Sequence, residues 1–368
     1  MNPFKKILGP ILFILNIITL VLFILSAFSD RISPDKSIIF PLLGLAFPFI
    51  TGVNILFLIV WSILNQWKYI LLNIIVLVIG GNAIITYFPV HSETKDIPPD
   101  CIKILSYNVM QFEHKKANTQ DNPNYVLEYI LNSKADIVCI QEYGANKKGP
   151  HLTDKEIKQT LKTYPYNYTY RFSSSPKNEI LGLALFSKFP ILSTEKIVFE
   201  SKYNGSFSAV LDINGKRTTL INNHLESNKL TIEERNDYSN LIDHFDSKKL
   251  DRVTGTILNR LIPAFKIRAK QAETIANTIA ENENPYIIVC GDFNDTPVSY
   301  SRRVIKKNLN DAFADTGFGL GTSFNRHRFY FRIDHILHSK NIKAYNCTVD
   351  RSIKNSDHYP IWTYLDFR

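Results

Sequence analysis

The N-terminal quarter of this chain limits what the rest can be. Three uncharged apolar stretches fill it, Gly9–Phe28, Ser37–Ser62 and Tyr69–Phe88. Each has about the twenty residues that a helix needs to cross a hydrocarbon core. Only Ser29–Lys36 and Ile63–Lys68 separate them. Stretches so closely spaced argue for a membrane region over residues 1–88 with three transmembrane helices, rather than a buried hairpin or a cleaved leader. Trp61, Trp67, Tyr69 and Tyr87 fall where interfacial aromatics belong, and Pro41 and Pro48 are kinks that a membrane bundle tolerates. No charge lies inside the stretches, so nothing suggests a transport path.

Lys5-Lys6 is expected to hold the N-terminus in the cytoplasm, and an odd number of crossings then places the remainder outside. The charge rule itself is close to a tie, because Arg31, Lys36, Lys95 and Lys103 fall on the nominal outside. The expectation is an integral, multi-pass protein with an extracytoplasmic domain, the bilayer as its partner and no obligate protein partner. Residues 89–100, with Pro98-Pro99, read as a stiff connector.

Residues 101–368 carry the chemistry. Of 43 basic and 34 acidic residues, five and two lie before residue 89, which leaves 38 and 32 and a net charge of +6. That balance suits a phosphate-bearing substrate, but without a dense basic tract it is weak evidence for nucleic acid. The four cysteines have no C-x-x-C or His/Cys spacing, which argues against zinc. Cys139 and Cys290 read as buried small hydrophobes, and nothing in sequence supports a Cys101–Cys347 disulfide.

Strand signals recur at Cys101–Tyr107, Ala135–Ile140, Tyr166–Phe172, Leu181–Phe186, Lys196–Phe199 and Phe207–Ile213. Asn214-Gly215 is a two-residue hairpin turn that delivers Lys216–Asn223 and then His224. Helical patterns fall at Tyr125–Asn132, Asp154–Leu161 and roughly Ala264–Glu281, the last with a stripe of Ala272, Ile275, Ala276 and Ile279. Glu226–Lys266 reads as mostly polar and irregular, with one apolar patch at Thr256–Leu261. Tyr286–Cys290 is a buried strand, Arg332–His338 and Asn341–Asp350 read as a hairpin, and Tyr359–Leu365 closes the chain. The mixture predicts sheets covered by helices. Dinucleotide, P-loop and G-x-S-x-G signatures are absent.

Apolar strands end repeatedly in functional groups: Asn108, Glu142, His224, Asp292 with Asn294, Asp334, and Asp357-His358. Turns favour Asn, Asp, Gly and Pro, so repeated Glu and His at strand ends suggest one shared mouth. Glu142, helped by Asn108 and Asp357, makes a hard oxygen site suited to Mg²⁺, with Mn²⁺ or Ca²⁺ as alternatives. Asp292 can orient or deprotonate water, with Asn294 fixing its rotamer or contacting phosphate. His358 backed by Asp334 can bind developing negative charge. His224 can serve as a phosphate ligand or a leaving-group acid, and Arg268 as a second phosphate contact. His335 occupies the opposite strand face from Asp334 and reads as structural. Arg326, His327 and Arg328 form a positive cluster that suits either a solvated loop or a substrate rim.

These pieces resemble the endonuclease/exonuclease/phosphatase superfamily of DNase I-like, metal-dependent phosphoesterases. The matching segments are SYNV at Asn108, IQE at Glu142, NNHLES at His224, GDFND at Asp292 and Asn294, RIDHIL at Asp334, and SDHYP at Asp357 and His358. The resemblance implies a four-layer α/β sandwich over residues 101–368, with Glu142 as metal ligand and Asn108 and Asp357 near it. It also implies Asp292 as the water-activating aspartate, with Asn294 as companion, and an Asp334–His358 pair. His224 is similar to the histidine of the DNase and sphingomyelinase branches. Met110 stands where abasic-site endonucleases have an aspartate, which puts a second metal in doubt. The function expected is hydrolysis of phosphodiesters by activated water, as an endonuclease or general phosphodiesterase. The alternatives are a phospholipid or sphingomyelin phosphodiesterase, an inositol-phosphate phosphatase, and a non-catalytic membrane scaffold that keeps the fold. Nucleic acid and phospholipid both stand as substrates.

Overall fold

The computed structural model describes residues 3–199, 201–244, 246–326 and 329–368. His327 and Arg328 of the expected positive cluster lie outside them. The N-terminal region is a helical bundle of α1 (Pro3–Ala27), α2 (Ile39–Ile63), α3 (Trp67–Ile79) and α4 (Gly81–Tyr87). Gly9–Ala27 and Ile39–Ile63 are long and apolar enough to cross a membrane, and α3 with α4 makes a third candidate only as a pair bent by 66°. The expected third span is thus broken at Gly80-Gly81, where two residues without a Cβ weaken the helix. Amides hold the bundle together. Asn16 and Asn73 bond reciprocally at 3.1 and 2.8 Å, and Trp61 Nε1 donates to Asn16 Oδ1 at 2.8 Å. Such bonds substitute for the hydrophobic force that a lipid solvent does not supply.

The remainder is an α/β sandwich. In chain order its strands are β1 (Ile102–Asn108), β2 (Ile137–Asn146), β3 (Tyr166–Arg171), β4 (Glu179–Ser187) and β5 (Ile191–Ile197). β6 (Gly205–Ile213), β7 (Lys216–His224), β8 (Tyr286–Asp292) and β9 (Asn310–Asp311) follow. The last are β10 (Phe324–Arg326), β11 (Phe329–Phe331), β12 (Asp334–His338), β13 (Ile342–Val349) and β14 (Ile361–Phe367). One six-stranded sheet has the order β13-β14-β1-β2-β4-β3 and the other β5-β6-β7-β8-β12-β9, while β10 and β11 form a separate ribbon. The facing sides interdigitate through residues such as Ile104, Cys139, Leu185, Leu220, Cys290 and Ile336. The outer face of the first sheet packs on helix Tyr125–Asn132 through Val126, Leu127 and Ile130. The outer face of the second packs on the long helix Ser247–Ala280 through Ala272 and Ile275. A buried polar tie crosses the interface: Gln141 Nε2 donates to Asn222 Oδ1 at 2.7 Å.

Several expectations change. Arg332–His338 and Asn341–Asp350 do not form a hairpin, because β12 pairs with β8 while β13 pairs with β14. The strand expected at Lys196–Phe199 is centred earlier, at Ile191–Ile197. Glu226–Lys266 is not irregular. It contains helix Ile232–Asp243 and the first half of the long helix, which begins well before Ala264. All four cysteines are free.

The sandwich rests on the bundle. Val298 joins Phe23, Phe47 and Tyr87 in one apolar cluster, and Ser29 Oγ donates to Val298 O at 3.2 Å. Arg303 pairs with Asp30 at 3.3 Å, and buried Arg332 donates to Thr86 O while stacking on Phe313. The connector is pinned as well: His91 N donates to Gly317 O at 3.2 Å and Thr94 N to Asn346 Oδ1 at 2.8 Å.

Candidate active site

Parallel pairing of β1 with β2, and of β7 with β8, brings four C-terminal strand ends to one edge of the sandwich. Register places His224 beside Asp292 and Asp292 beside Asp334. Local backbone then aims the groups. Between Ile140 and Tyr143 the β2–β4 register shifts, so Gln141 and Glu142 together oppose Leu183, and Glu142 has φ 50°. This bulge frees Glu142 from strict alternation and turns its carboxylate to the mouth. Gly291 has φ 131°, and a Cβ there would meet Asn223 O at 2.0 Å, so only glycine lets β8 come this close to β7.

The expected residues converge. Asn108 Nδ2 donates to Glu142 Oε1 at 3.2 Å and to Asp292 Oδ2 at 3.1 Å. His224 Nε2 stands 3.9 Å from Glu142 Oε1 and 3.7 Å from Asp292 Oδ2. His358 Nε2 lies 3.6 Å from Asp292 Oδ2, and its Nδ1 bonds Asp334 Oδ2 at 2.8 Å. Asn294 N donates to Asp292 Oδ1 at 2.8 Å, while its side-chain amide donates to Leu225 O at 3.0 Å. Asn294 therefore fixes the Asp292 rotamer through its backbone. Asp357 lines the same cavity, and its Oδ1 is buried with no hydrogen-bond partner.

Arg268 also lies in the cavity wall, but it is buried. Its Nη1 donates to Glu226 O and Asn228 Oδ1, and its Nε faces Asp295 Oδ2 at 3.5 Å. These contacts tie it to the scaffold. His335 is buried on the other strand face against Asp295 O at 3.1 Å. Sequence reasoning missed Arg235, which lines the cavity 5.5 Å from the Phe324 ring, because its segment shows no apolar stripe. It also missed Ser356, whose Oγ donates to Asn108 O at 2.7 Å, and Ser323, whose Oγ accepts from Asp334 N at 3.1 Å. Short hydroxyls of this kind give no periodic signal.

The electrostatics follow from burial. Burial pushes Asp292 up to about 6, with His358 opposing the rise and Asp334 adding to it. Burial alone would lower His358, but Asp334 and Asp292 outweigh it and raise the imidazole to about 10. Burial lowers His224. Glu142 is held above the usual carboxylate range by its removal from water and then by Asp357. Its side chain is still 36% exposed, so the effect of burial on it is screened. Carboxylates that repel one another beside an unpartnered buried oxygen are what a bound cation would satisfy. Asp292, Asp334 and His358 also each offer one ligand atom, all within 4.8 Å of one another, a set able to coordinate a divalent ion. The centre is a candidate metal-binding active site.

No curated protein matches the sequence. Residues 6–87 match a family described only as a domain of unknown function. Among solved structures, the human Nocturnin catalytic domain with bound sulfate is similar over 74% of this chain and 100% of its own, at 17% identity and TM-score 0.50. A humanized D. rerio TDP2 carrying 14 mutations covers 73% of this chain and 99% of its own, at 15% identity and TM-score 0.48. Sphingomyelinase C from Streptomyces griseocarneus covers 73% and 99%, at 17% identity and TM-score 0.46. The Endonuclease/Exonuclease/phosphatase family profile matches residues 105–358, which contain every site residue named above, and the chain belongs to that family.

Proposed function

We propose that this protein is a divalent-metal-dependent phosphodiester hydrolase held at a membrane. The observation that carries the reading is the convergence of Asn108, Glu142, His224, Asp292, Asp334 and His358 within hydrogen-bond or near-contact distance. Glu142, Asn108 and Asp357 would hold Mg²⁺ or Mn²⁺. His358 is the weaker ligand, because Asp334 and Asp292 favour its protonated form, in which both ring nitrogens carry hydrogen. When bound, the cation would neutralise phosphate oxygens and the leaving oxygen. Asp292, kept in one rotamer by Asn108 and by Asn294 N, accepts a proton from the attacking water. The water oxygen bonds phosphorus opposite the leaving group, and the ester P–O bond breaks. His358, oriented by Asp334, faces the charge that develops on the phosphoryl oxygens. His224 is placed to protonate the leaving oxygen or to bind phosphate. Arg268 stabilises the wall from behind, through Asp295.

In this reading residues 1–88 form the anchor, 89–100 the connector and 101–368 the catalytic domain, a four-layer sandwich. The loop after α1 and the connector after α4 both touch the domain, through Ser29 and Asp30 on one hand and His91 and Thr94 on the other. Both therefore lie on one side of the bilayer, which requires the bent pair α3–α4 to return the chain across it. With Lys5-Lys6 in the cytoplasm the domain is extracytoplasmic.

The test is turnover of bis-nitrophenyl phosphate by the full chain with Mg²⁺ or Mn²⁺, against Glu142→Ala. Metal-dependent release of nitrophenol that Glu142→Ala abolishes supports the reading. Absence of turnover with metal bound would favour the non-catalytic scaffold.

A further inference from the structure

The cavity that ends on Asp292 and His358 is not walled by the sandwich alone. Its wall continues to Leu45, Ala46 and Phe49 of α2, facing Leu261 and Phe265 of the long helix. A helix apolar enough to span a bilayer thus forms one side of the reaction chamber. The cavity holds about 380 Å³, within the range of roughly 300–1,000 Å³ for small-molecule sites. Its inner end is polar, with His224, Arg235 and His358, and its outer end is apolar.

The position of that outer end follows from length. The 25 residues of α2 extend about 37 Å against a hydrocarbon core of about 30 Å. About five residues can therefore stand clear of the core. If they do so at the domain end, Leu45, Ala46 and Phe49 fall at the edge of the hydrocarbon. Phe49 is 69% exposed on the helix surface, where acyl chains would touch it. Contact at Gly44 fixes the wall: a Cβ there would lie 2.6 Å from Ser29 Oγ and 3.0 Å from Val298 O.

Two of the aromatic rings beside the reacting groups are already engaged. Phe329 already stacks on Tyr238, with centroids 4.4 Å apart, and Phe324 is faced by His358 at 5.1 Å and Arg235 at 5.5 Å. Single-stranded nucleic acid binding relies on open aromatic faces in a basic groove.

We propose that the substrate is an amphiphile of the bilayer itself, a phosphoester with a long apolar tail. It enters sideways from the leaflet, its tail lying between α2 and the long helix while its phosphate reaches Asp292 and His358. Hydrolysis then breaks a P–O ester bond, adds the water oxygen to phosphorus and returns a proton to the departing alcohol. The inference rests on the hydrolase reading above and deepens it.

The experiment uses the full chain in galactolipid nanodiscs, whose matrix carries no phosphate. Methyl, butyl and octyl nitrophenyl phosphodiesters serve as probes with one shared reporter group. kcat/KM should rise with tail length, by up to about fourfold per buried methylene. Ala46→Trp, and Leu261→Trp from the opposite wall, should flatten that series, lowering kcat/KM for the octyl ester by a larger factor than for the methyl ester. Both variants leave partition into the disc unaltered, so they separate corridor from bilayer effects. Methyl and octyl phosphonates, which are not hydrolysed, should show the same preference in binding. A flat series in the unmodified protein, or an oligonucleotide cleaved faster than the octyl ester, overturns the proposal. Turnover of no ester strikes the hydrolase reading instead, and equal binding of the two phosphonates would still overturn this one.

Discussion

Asp334→Asn separates the charge of the Asp334–His358 pair from its shape. Asparagine keeps an acceptor oxygen facing His358 Nδ1 but loses the negative charge now 2.8 Å away. Both side chains are buried, so water screens the pair little. A hydrogen bond to a charged partner contributes about 1.5–3 kcal/mol, and each 1.36 kcal/mol is about tenfold in rate. If that interaction holds the imidazole in its working state, kcat should fall about 10- to 150-fold. The pH dependence has a definite sign. His358 is raised from 6.5 to about 10, against burial, by Asp334 and then Asp292. The stabilisation this provides is complete below 6.5 and is lost as pH rises through about 10. Asparagine removes the first of the raising charges, so the alkaline limb of kcat moves to lower pH. The assay is kcat for the methyl nitrophenyl diester, for both proteins, across about pH 7 to 11. An alkaline limb that stays in place, with kcat within about twofold, would refute the assignment of His358 as a charged group.

Gly291→Ala should prevent folding or lower the melting temperature sharply, since its Cβ would press on Asn223 O at 2.0 Å with φ at 131°; an unchanged melting curve would contradict the register. Glu142→Gln should keep the Asn108 contact yet weaken Mn²⁺ binding by at least about tenfold in calorimetry, whereas unchanged affinity would move the cation elsewhere. Arg302→Met breaks a buried pair with Asp311 and should cost about 3–5 kcal/mol, read as a lower midpoint in thermal unfolding. Arg302 holds Asp311 below its ordinary value despite burial, so the pair stabilises above about pH 3.8 and that contribution fades as pH falls further. In a Cys101→Ser background, Lys95→Cys should react with an impermeant thiol reagent on intact cells and Asn65→Cys only after permeabilisation; labelling of both from outside would remove the third crossing.

What was legible in sequence is what local chemistry encodes. Asn214-Gly215 announced its hairpin because both residues accept positive φ, 53° and 82° here. Apolar runs ending in Glu or His marked the mouth, since an apolar strand has no structural need of them there. Helix Ile232–Asp243 escaped because its hydrophobic pattern is weak. Its capping box of Thr231 and Glu234 was the available signal, and it was not used. The separation of β12 from β13 into different sheets depends on contacts with β8 and β14, far apart in sequence. The same holds for the α2 wall of the cavity, where residues 45–49 meet residues 292–358, a meeting that no local pattern reports.

The irregularity at Glu142 means that architecture and chemistry part company at a single residue. Strand pairing resumes normally at Tyr143, opposite Gly182. Deleting Glu142 would leave every later pair in β2 and β4 intact and close the ladder over the gap. The chain would keep its shape and lose its acid. On the proposed reading, a non-catalytic copy of the same fold therefore stands one codon away.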